Sequence, residues 1–255
     1  MSFTRLLLLI FMLGAAIVAE AQVEQLSGTI LIQGKPVKAG DKLKLARKRF
    51  YLFPGGLKDN AELLERIRSA EITSRDCYYL SAKASPEFIC WLQRENCDGP
   101  FCRAVSSTEV AGVPEFDAAY KKGLTLYRGK TELSLSWLIN NLETPLVAGY
   151  YDQQRSFVNK ILGGLKPLQT TIATITAAEA YFVDVPIGDK AQKYLVSTIV
   201  PVDLGDKSYV WTCEVTDLGR NKPLSKLPLP LKTNSKCEVT PVNSPVCKTG
   251  ACATK

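Results

Sequence analysis

The sequence predicts an α+β fold stabilised by disulfides. Three observations carry that reading: two strand patterns near the N-terminus, helical periodicity through the middle of the chain, and three strand patterns after Pro167, with eight cysteines in the chain. The expected arrangement is an N-terminal β-hairpin and a C-terminal three-stranded antiparallel meander sharing one sheet. A central block of about five helices would pack on it.

The chain opens on a basic residue, Arg5, followed by the apolar run Leu6 to Val18 and the small-residue site Ala19-Glu20-Ala21. This is the pattern of a secretory leader, with cleavage expected before Gln22. As a helix the apolar run spans roughly 20 Å, short of the ~30 Å hydrocarbon core, so a lasting membrane anchor is not expected. Later apolar runs such as Leu195 to Leu204 are also too short to span. The expected organisation is a signal peptide over 1–21, a single α+β domain over 22–219, and a tail over 220–255. Localisation is expected to be exported, periplasmic or extracellular.

Gln25 to Gln33 reads as the first strand, Gly34-Lys35-Pro36 as a turn, and Leu43 to Phe53 as the second strand, ended by Pro54-Gly55-Gly56. The segment Ser27-Gly28-Thr29-Ile30 followed by Gly34-Lys35-Pro36-Val37 resembles the opening hairpin of carboxypeptidase-regulatory-like β-sandwich modules of exported bacterial proteins. The resemblance covers residues 27–53 and implies an exported context. The later strands of such a module do not follow, because the chain turns helical at Asp59.

The first helix is expected over Ala61 to Ala70, with Asp59 or Asn60 as its cap and, counted from Asp59, Glu62 at the capping-box position. Ser85-Pro86-Glu87 starts a second, with Ser85 as cap and Pro86 at the first helical position, so that Phe88, Trp91 and Leu92 share a face. Pro114 opens a third, carrying Phe116, Tyr120, Leu124 and Tyr127. Leu135, Leu138, Ile139 and Leu142 follow the i, i+3, i+4, i+7 spacing of a half-buried fourth. A fifth runs from about Pro145 to Leu162 and stops at Gly163-Gly164.

Residues 170–187, 192–204 and Tyr209 to Val215 then alternate as strands, with Gly188-Asp189 and Gly205-Asp206 at the turns. From Arg220 onward, Pro223, Pro228, Pro230, Pro241 and Pro245 alternate with lysines, the composition of an extended tail. That tail carries three of the cysteines, so part of it should be tied down covalently.

The thiols are Cys77, Cys90, Cys97, Cys102, Cys213, Cys237, Cys247 and Cys252, an even number in a chain with a leader, which favours disulfides. Cys97–Cys102 and Cys247–Cys252 each enclose a short glycine-containing loop that can close on itself. Longer-range pairing competes, because Cys90 and Cys97 can share a helical face. No CxxC occurs and there is no histidine, which argues against structural zinc and thioredoxin-like chemistry. The missing histidine also excludes Ser-His-Asp and Cys-His catalysis. Gly123 to Thr131 is not a phosphate loop: its glycines are one residue too far apart, and a helical pattern precedes it. No cofactor and no metal are expected.

Two carboxylates, Asp184 and Glu214, interrupt otherwise apolar strands and form the one acid/base pair worth considering. A glycosidase-like hydrolase on two carboxylates is the rival reading. The densest charge feature is the run Lys42, Lys44, Arg47, Lys48 and Arg49, leading into Phe50-Tyr51-Leu52-Phe53, in a chain of net charge +7. By strand alternation Arg47 and Arg49 would fall on the same face as Leu43 and Leu45, so a bulge near Ala46 or snorkelling is expected. The run marks candidate anion-binding residues, and the expected partner is an anionic polysaccharide or another envelope component rather than nucleic acid. The expected function is that of an exported, non-catalytic binding or structural protein of the cell envelope.

Overall fold

The runs Ile30-Leu31-Ile32 and Phe50-Tyr51-Leu52-Phe53 are buried residue after residue, which leaves neither run a polar face. A run of that kind marks a strand with neighbours on both edges. The computed structural model, which describes residues 26–242 except 35, 39–40, 43–44, 46, 96, 174–178, 189 and 205–206, places each run at the interior of a different sheet. Strand β1 (Ser27–Gly34) lies between β6 (Glu179–Pro186), antiparallel, and β10 (Leu224–Leu229), parallel. Strand β4 (Arg49–Pro54) lies between β5 (Gln169–Ile172) and β7 (Gln192–Ser197), both antiparallel. The second sheet continues through β9 (Lys207–Leu218) to β11 (Cys237–Pro241), and β8 (Val202–Leu204) pairs with the start of β9. A small ribbon, β2 (Pro36–Lys38) with β3 (Asp41–Lys42), fills the gap between β1 and β4.

The α+β class agrees with expectation, and the strand pairing departs from it. The two N-terminal strands are not a hairpin, since β1 and β4 belong to different sheets. Residues 170–187 are not one strand: β5 joins the second sheet and β6 the first. Of the expected meander, only β7 and β9 are neighbours. The proline-rich segment after Arg220 is extended but integrated, supplying β10 to one sheet and β11 to the other. Pro228 fits because it lies on an edge strand, where a missing N–H need not break a ladder.

Strand alternation then sorts the core. Ile30, Ile32, Phe182 and Leu227 of the first sheet meet Phe50, Leu52, Val196 and Trp211 of the second. Tyr51, Phe53, Leu195 and Val210 point the other way, onto Leu63 and Ile67 of α1 (Ala61–Arg68) and Val158 and Ile161 of α7 (Tyr150–Leu162). The order of layers is therefore sheet, sheet, helices. The remaining helices, α2 (Arg75–Ser81), α3 (Pro86–Glu95), α4 (Ser107–Val110), α5 (Pro114–Leu126) and α6 (Thr131–Leu138), gather around Phe88, Trp91, Phe116 and Leu138.

The five expected helices are present, and α2 and α4 are additional. Ser85 caps α3 as expected, accepting the Phe88 N–H at 3.1 Å. Asp59 does not cap α1: the cap residue is Asn60, and the Asp59 carboxylate instead accepts the Gly56 N–H at 2.7 Å. Gly55, at φ 83°, makes the turn that brings this N–H within reach. Gly163 ends α7 in the left-handed region, φ 50°.

Cys97 and Cys102 are bonded, as the short-loop reading allows, with Cα atoms 5.6 Å apart. Cys213 pairs with Cys237, directly opposite in the β9–β11 register. Cys77 and Cys90 are disulfide-bonded as well, and no free thiol occurs among the described residues. The expected Cys247–Cys252 loop lies outside the described residues, as does the expected leader.

A charged cluster pins α4 to α3. Arg103 donates to Glu109 at 2.9 Å and to Glu95 at 2.9 Å, and its guanidinium stacks over Trp91 at 4.9 Å. The Trp91 indole N–H also donates to Glu109, as do the N–H and hydroxyl of Ser106. The Arg103 bond, assisted by those to Ser106 and Trp91, holds the Glu109 carboxyl well below its usual value of 4.5, against the opposing effect of burial. A depressed carboxylate pKa contributes stability above the unfolded-state value and loses it as pH falls towards the folded one. Glu109→Gln should therefore lower the thermal midpoint at pH 7, and the gap to wild type should shrink steadily below about pH 4.5. Melting curves across pH 3 to 7 test this, and a gap that stays constant with pH would refute it.

Candidate anion-binding cleft

The basic run does not form one strand. Leu45 is buried between the sheets, and Lys48 N–H donates back to the Leu45 carbonyl at 2.8 Å, closing a turn. Arg47 sits in that turn with φ 61°, and β4 starts only at Arg49. The register break therefore falls at Arg47, which relieves the conflict between the leucine face and the arginines. The turn is fastened to the end of β5: Arg47 N–H donates to the Ala173 carbonyl at 2.9 Å, and Ala173 N–H to the Lys48 carbonyl at 3.0 Å.

The disulfide loop clasps this turn from the helical side. Lys48 is only 8% exposed and donates to both oxygens of Asp98, at 2.8 and 3.0 Å. Arg47 Nη1 donates to the Phe101 carbonyl at 2.9 Å. The loop is itself held, with the Tyr79 hydroxyl on the Asp98 carbonyl at 3.1 Å and Arg75 on the Cys97 carbonyl at 3.0 Å. Gly99 allows the Tyr151 ring close against the loop, since a Cβ there would meet that ring at 2.8 Å.

Between α7 and the β4–β5 edge lies a cleft of about 1040 Å³. The helix lines it with Tyr151, Arg155, Val158 and Leu162, spaced i, i+4, i+7, i+11 along one face. The sheet lines it with Arg49 and Tyr51 and with their β5 partners Ile172 and Thr170. Val200 and Pro201 enter from the β7–β8 connection, and Arg47, Lys48 and Phe101 stand at the clasp. Burial pushes the Tyr51 phenol up, with the neighbouring Arg49 guanidinium opposing. Burial also raises Tyr151, reinforced by the Asp98 carboxylate and opposed by Arg47, so both hydroxyls stay protonated at neutral pH.

The charges on the lining do not cancel. Lys48 is paired with Asp98, and Arg155 with Asp152. Among the described residues neither Arg47 nor Arg49 has a carboxylate partner, which leaves two guanidiniums in the cleft uncompensated. Of the five sequence candidates, Arg47, Lys48 and Arg49 line the cleft together. Lys48 differs from expectation, because its ion pair with Asp98 turns it inward as a structural cation. The side chains of Lys42 and Lys44 lie outside the described residues.

The carboxylate pair is not assembled. Asp184 is exposed on the outer surface of the first sheet, at a bulge in the β1–β6 register where it takes φ 52°. Glu214 is on the helix-facing side of the second sheet, opposite in parity to Trp211, Cys213 and Val215 of the inter-sheet core. There it accepts the Leu57 N–H at 2.9 Å and pairs with Lys193 at 3.2 Å, securing the Gly55–Leu57 turn. Two carboxylates pointing outward from opposite faces of a sandwich ~10 Å thick cannot flank one scissile bond.

Asp98, Phe101, Ile172 and the α7 face were not singled out from the sequence. The α7 stripe was readable as helical spacing, and Asp98 sits in the loop between two cysteines already marked. Nothing marked Ile172 as a lining residue, because its position depends on the strand pairing. No group of three or more metal-ligating side chains occurs among the described residues, and no helix among them is long and apolar enough to cross a membrane. Comparison with protein-family models, curated proteins and solved structures finds no match for this chain.

Proposed function

We propose that this chain is an exported, non-catalytic binding protein of the cell envelope that takes an anionic ligand in the cleft beside α7. The observation that carries the reading is the pair of arginines, Arg47 and Arg49, facing that cleft without a carboxylate partner among the described residues. Guanidiniums held at the start of an interior strand and on a clasped turn present preorganised forks for carboxylate, phosphate or sulfate. The oxidised cysteines support the exported setting, since disulfides persist outside the reducing cytosol.

Retention on immobilised heparin tests the anion site. Wild type should be retained at low salt and released as screening grows. Arg47→Gln combined with Arg49→Gln should weaken binding by about tenfold or more, because each change removes a charge-assisted bond. The thermal midpoint should move by no more than about 4 °C, since neither residue is buried and the structural bond lost is that of Arg47 to the Phe101 carbonyl. Undiminished retention of the double variant would remove the basis for the proposal.

A further inference from the structure

The anion site opens onto apolar surface that the fold leaves uncovered. Ile172 is 51% exposed and Phe101 47% exposed, and both line the cleft. Beside them lie Val158 and Leu162 of α7, with Val200 and Pro201 from the β7–β8 connection. The cause is the length mismatch at the sheet edge. α7 packs Val158 and Ile161 onto β4 and β7, but β5, one strand farther out, keeps its helix-facing residues Thr170 and Ile172 exposed. The cleft follows the π-helical turn Pro145–Gly149 and then α7, from Val147 to Leu162, roughly 20 Å of helix. Arg47, bonded to Phe101, marks the Val147 end, and Arg49 follows two residues later with Ile172 directly across the ladder, whereas Leu162 and Pro167 define the other end.

Charge at one end, with Val158, Leu162, Val200 and Pro201 beyond it among the polar Thr170 and Asn159, is the complement of an amphiphile. We propose that the ligand is a monomeric single-chain amphiphile with an anionic head, a fatty-acid carboxylate or alkyl phosphate, its head on Arg47 and Arg49 beside Ile172 and its chain along α7 towards Leu162. The inference rests on the anion-binding reading above and names the ligand class for that site. A polysaccharide would use the arginines but would gain nothing from Ile172, Val158 and Leu162. The cleft volume, about 1040 Å³, is at the upper end of the ~300–1,000 Å³ found for small-molecule sites, which suits one chain.

Calorimetric titration of the full mature protein with alkyl phosphates below their micelle concentrations provides the test. Dodecyl phosphate should bind at least about tenfold more tightly than butyl phosphate, since each buried methylene contributes up to roughly fourfold. It should also bind more tightly than dodecyl maltoside, which has the same chain and a neutral head. Leu162→Ser, at the end of the cleft away from the arginines, should weaken dodecyl phosphate about fivefold and leave butyl phosphate unchanged. Arg49→Gln should weaken both phosphates and leave the maltoside unchanged. Equal affinity for the two phosphates would overturn the amphiphile while the anion site stands. Equal affinity for dodecyl phosphate and dodecyl maltoside would overturn both readings, as would binding of neither. Binding to phosphatidylglycerol vesicles with no binding of monomeric dodecyl phosphate would assign the surface to a bilayer and overturn the monomeric ligand.

Discussion

Replacing Trp211 by alanine is expected to cost about 3–5 kcal/mol of unfolding free energy, the largest effect of any single truncation between the sheets. The side chain is 1% exposed and stands among Phe50, Leu52, Val196 and Cys213. Its indole N–H donates to the Pro230 carbonyl at 2.7 Å, tying the connection after β10 to β9 of the second sheet. Truncation therefore opens a cavity that two hydrogen-bonded sheets cannot collapse to fill, and it strands a carbonyl. Against a typical total of about 5–15 kcal/mol, that loss would leave the variant close to unfolding. Urea denaturation gives the number. Trp137, half-exposed and stacked edge-on to Tyr127, is the internal comparison and should cost about 1–2 kcal/mol. Similar losses at the two tryptophans would mean that the inter-sheet packing is not as described.

Asp98→Ala is expected to cost about 2–4 kcal/mol, and more than Lys48→Met. Breaking an ion pair leaves the other charge behind, and the two partners differ in what they can do next. Lys48, with its side chain 9% exposed, would be stranded as a buried ammonium beneath the disulfide loop. Asp98, 20% exposed, can turn to water once the lysine is gone. The double variant Lys48→Met/Asp98→Ala should recover most of the loss, because no charge then remains unpaired. A double-mutant cycle in chemical denaturation reads the coupling directly. If Lys48→Met proved the more damaging change, the ammonium would not be the buried partner.

Local patterns were legible and long-range ones were not. Ser85-Pro86, Pro114 and Gly163 announced their helix ends because capping depends on a few neighbouring residues. The Cys97–Cys102 loop was readable for the same reason. Strand pairing failed as a deduction because Ile30-Leu31-Ile32 and Phe50 to Phe53 are apolar on both faces, so they show that each strand is interior without naming a neighbour. The alternation Ser225, Leu227, Leu229 was visible within the proline-rich segment, and its buried members face the core in β10. The prolines around it pointed to a tail, when an edge strand satisfies both signals. The candidate site divided along the same line. Arg47, Lys48 and Arg49 stood out as charges, but whether each faces ligand, carboxylate or core was decided by a turn and by partners distant in sequence.

The parallel pairing of Thr29 with Leu224 has a consequence for the order of assembly. The first strand of the described chain acquires its two ladder neighbours only when residues 179–186 and 224–229 exist, so a nascent chain ending before them leaves the N–H and C=O groups of Ile30, Leu31 and Ile32 without a strand partner. Closing so long a loop makes this a late and slow event, dominated by non-local contacts. The helical block, whose contacts are mostly short-range, can condense while β1 waits. A polypeptide built this way stays open until β10 emerges, and truncation ahead of Leu224 should yield helices without a completed sandwich.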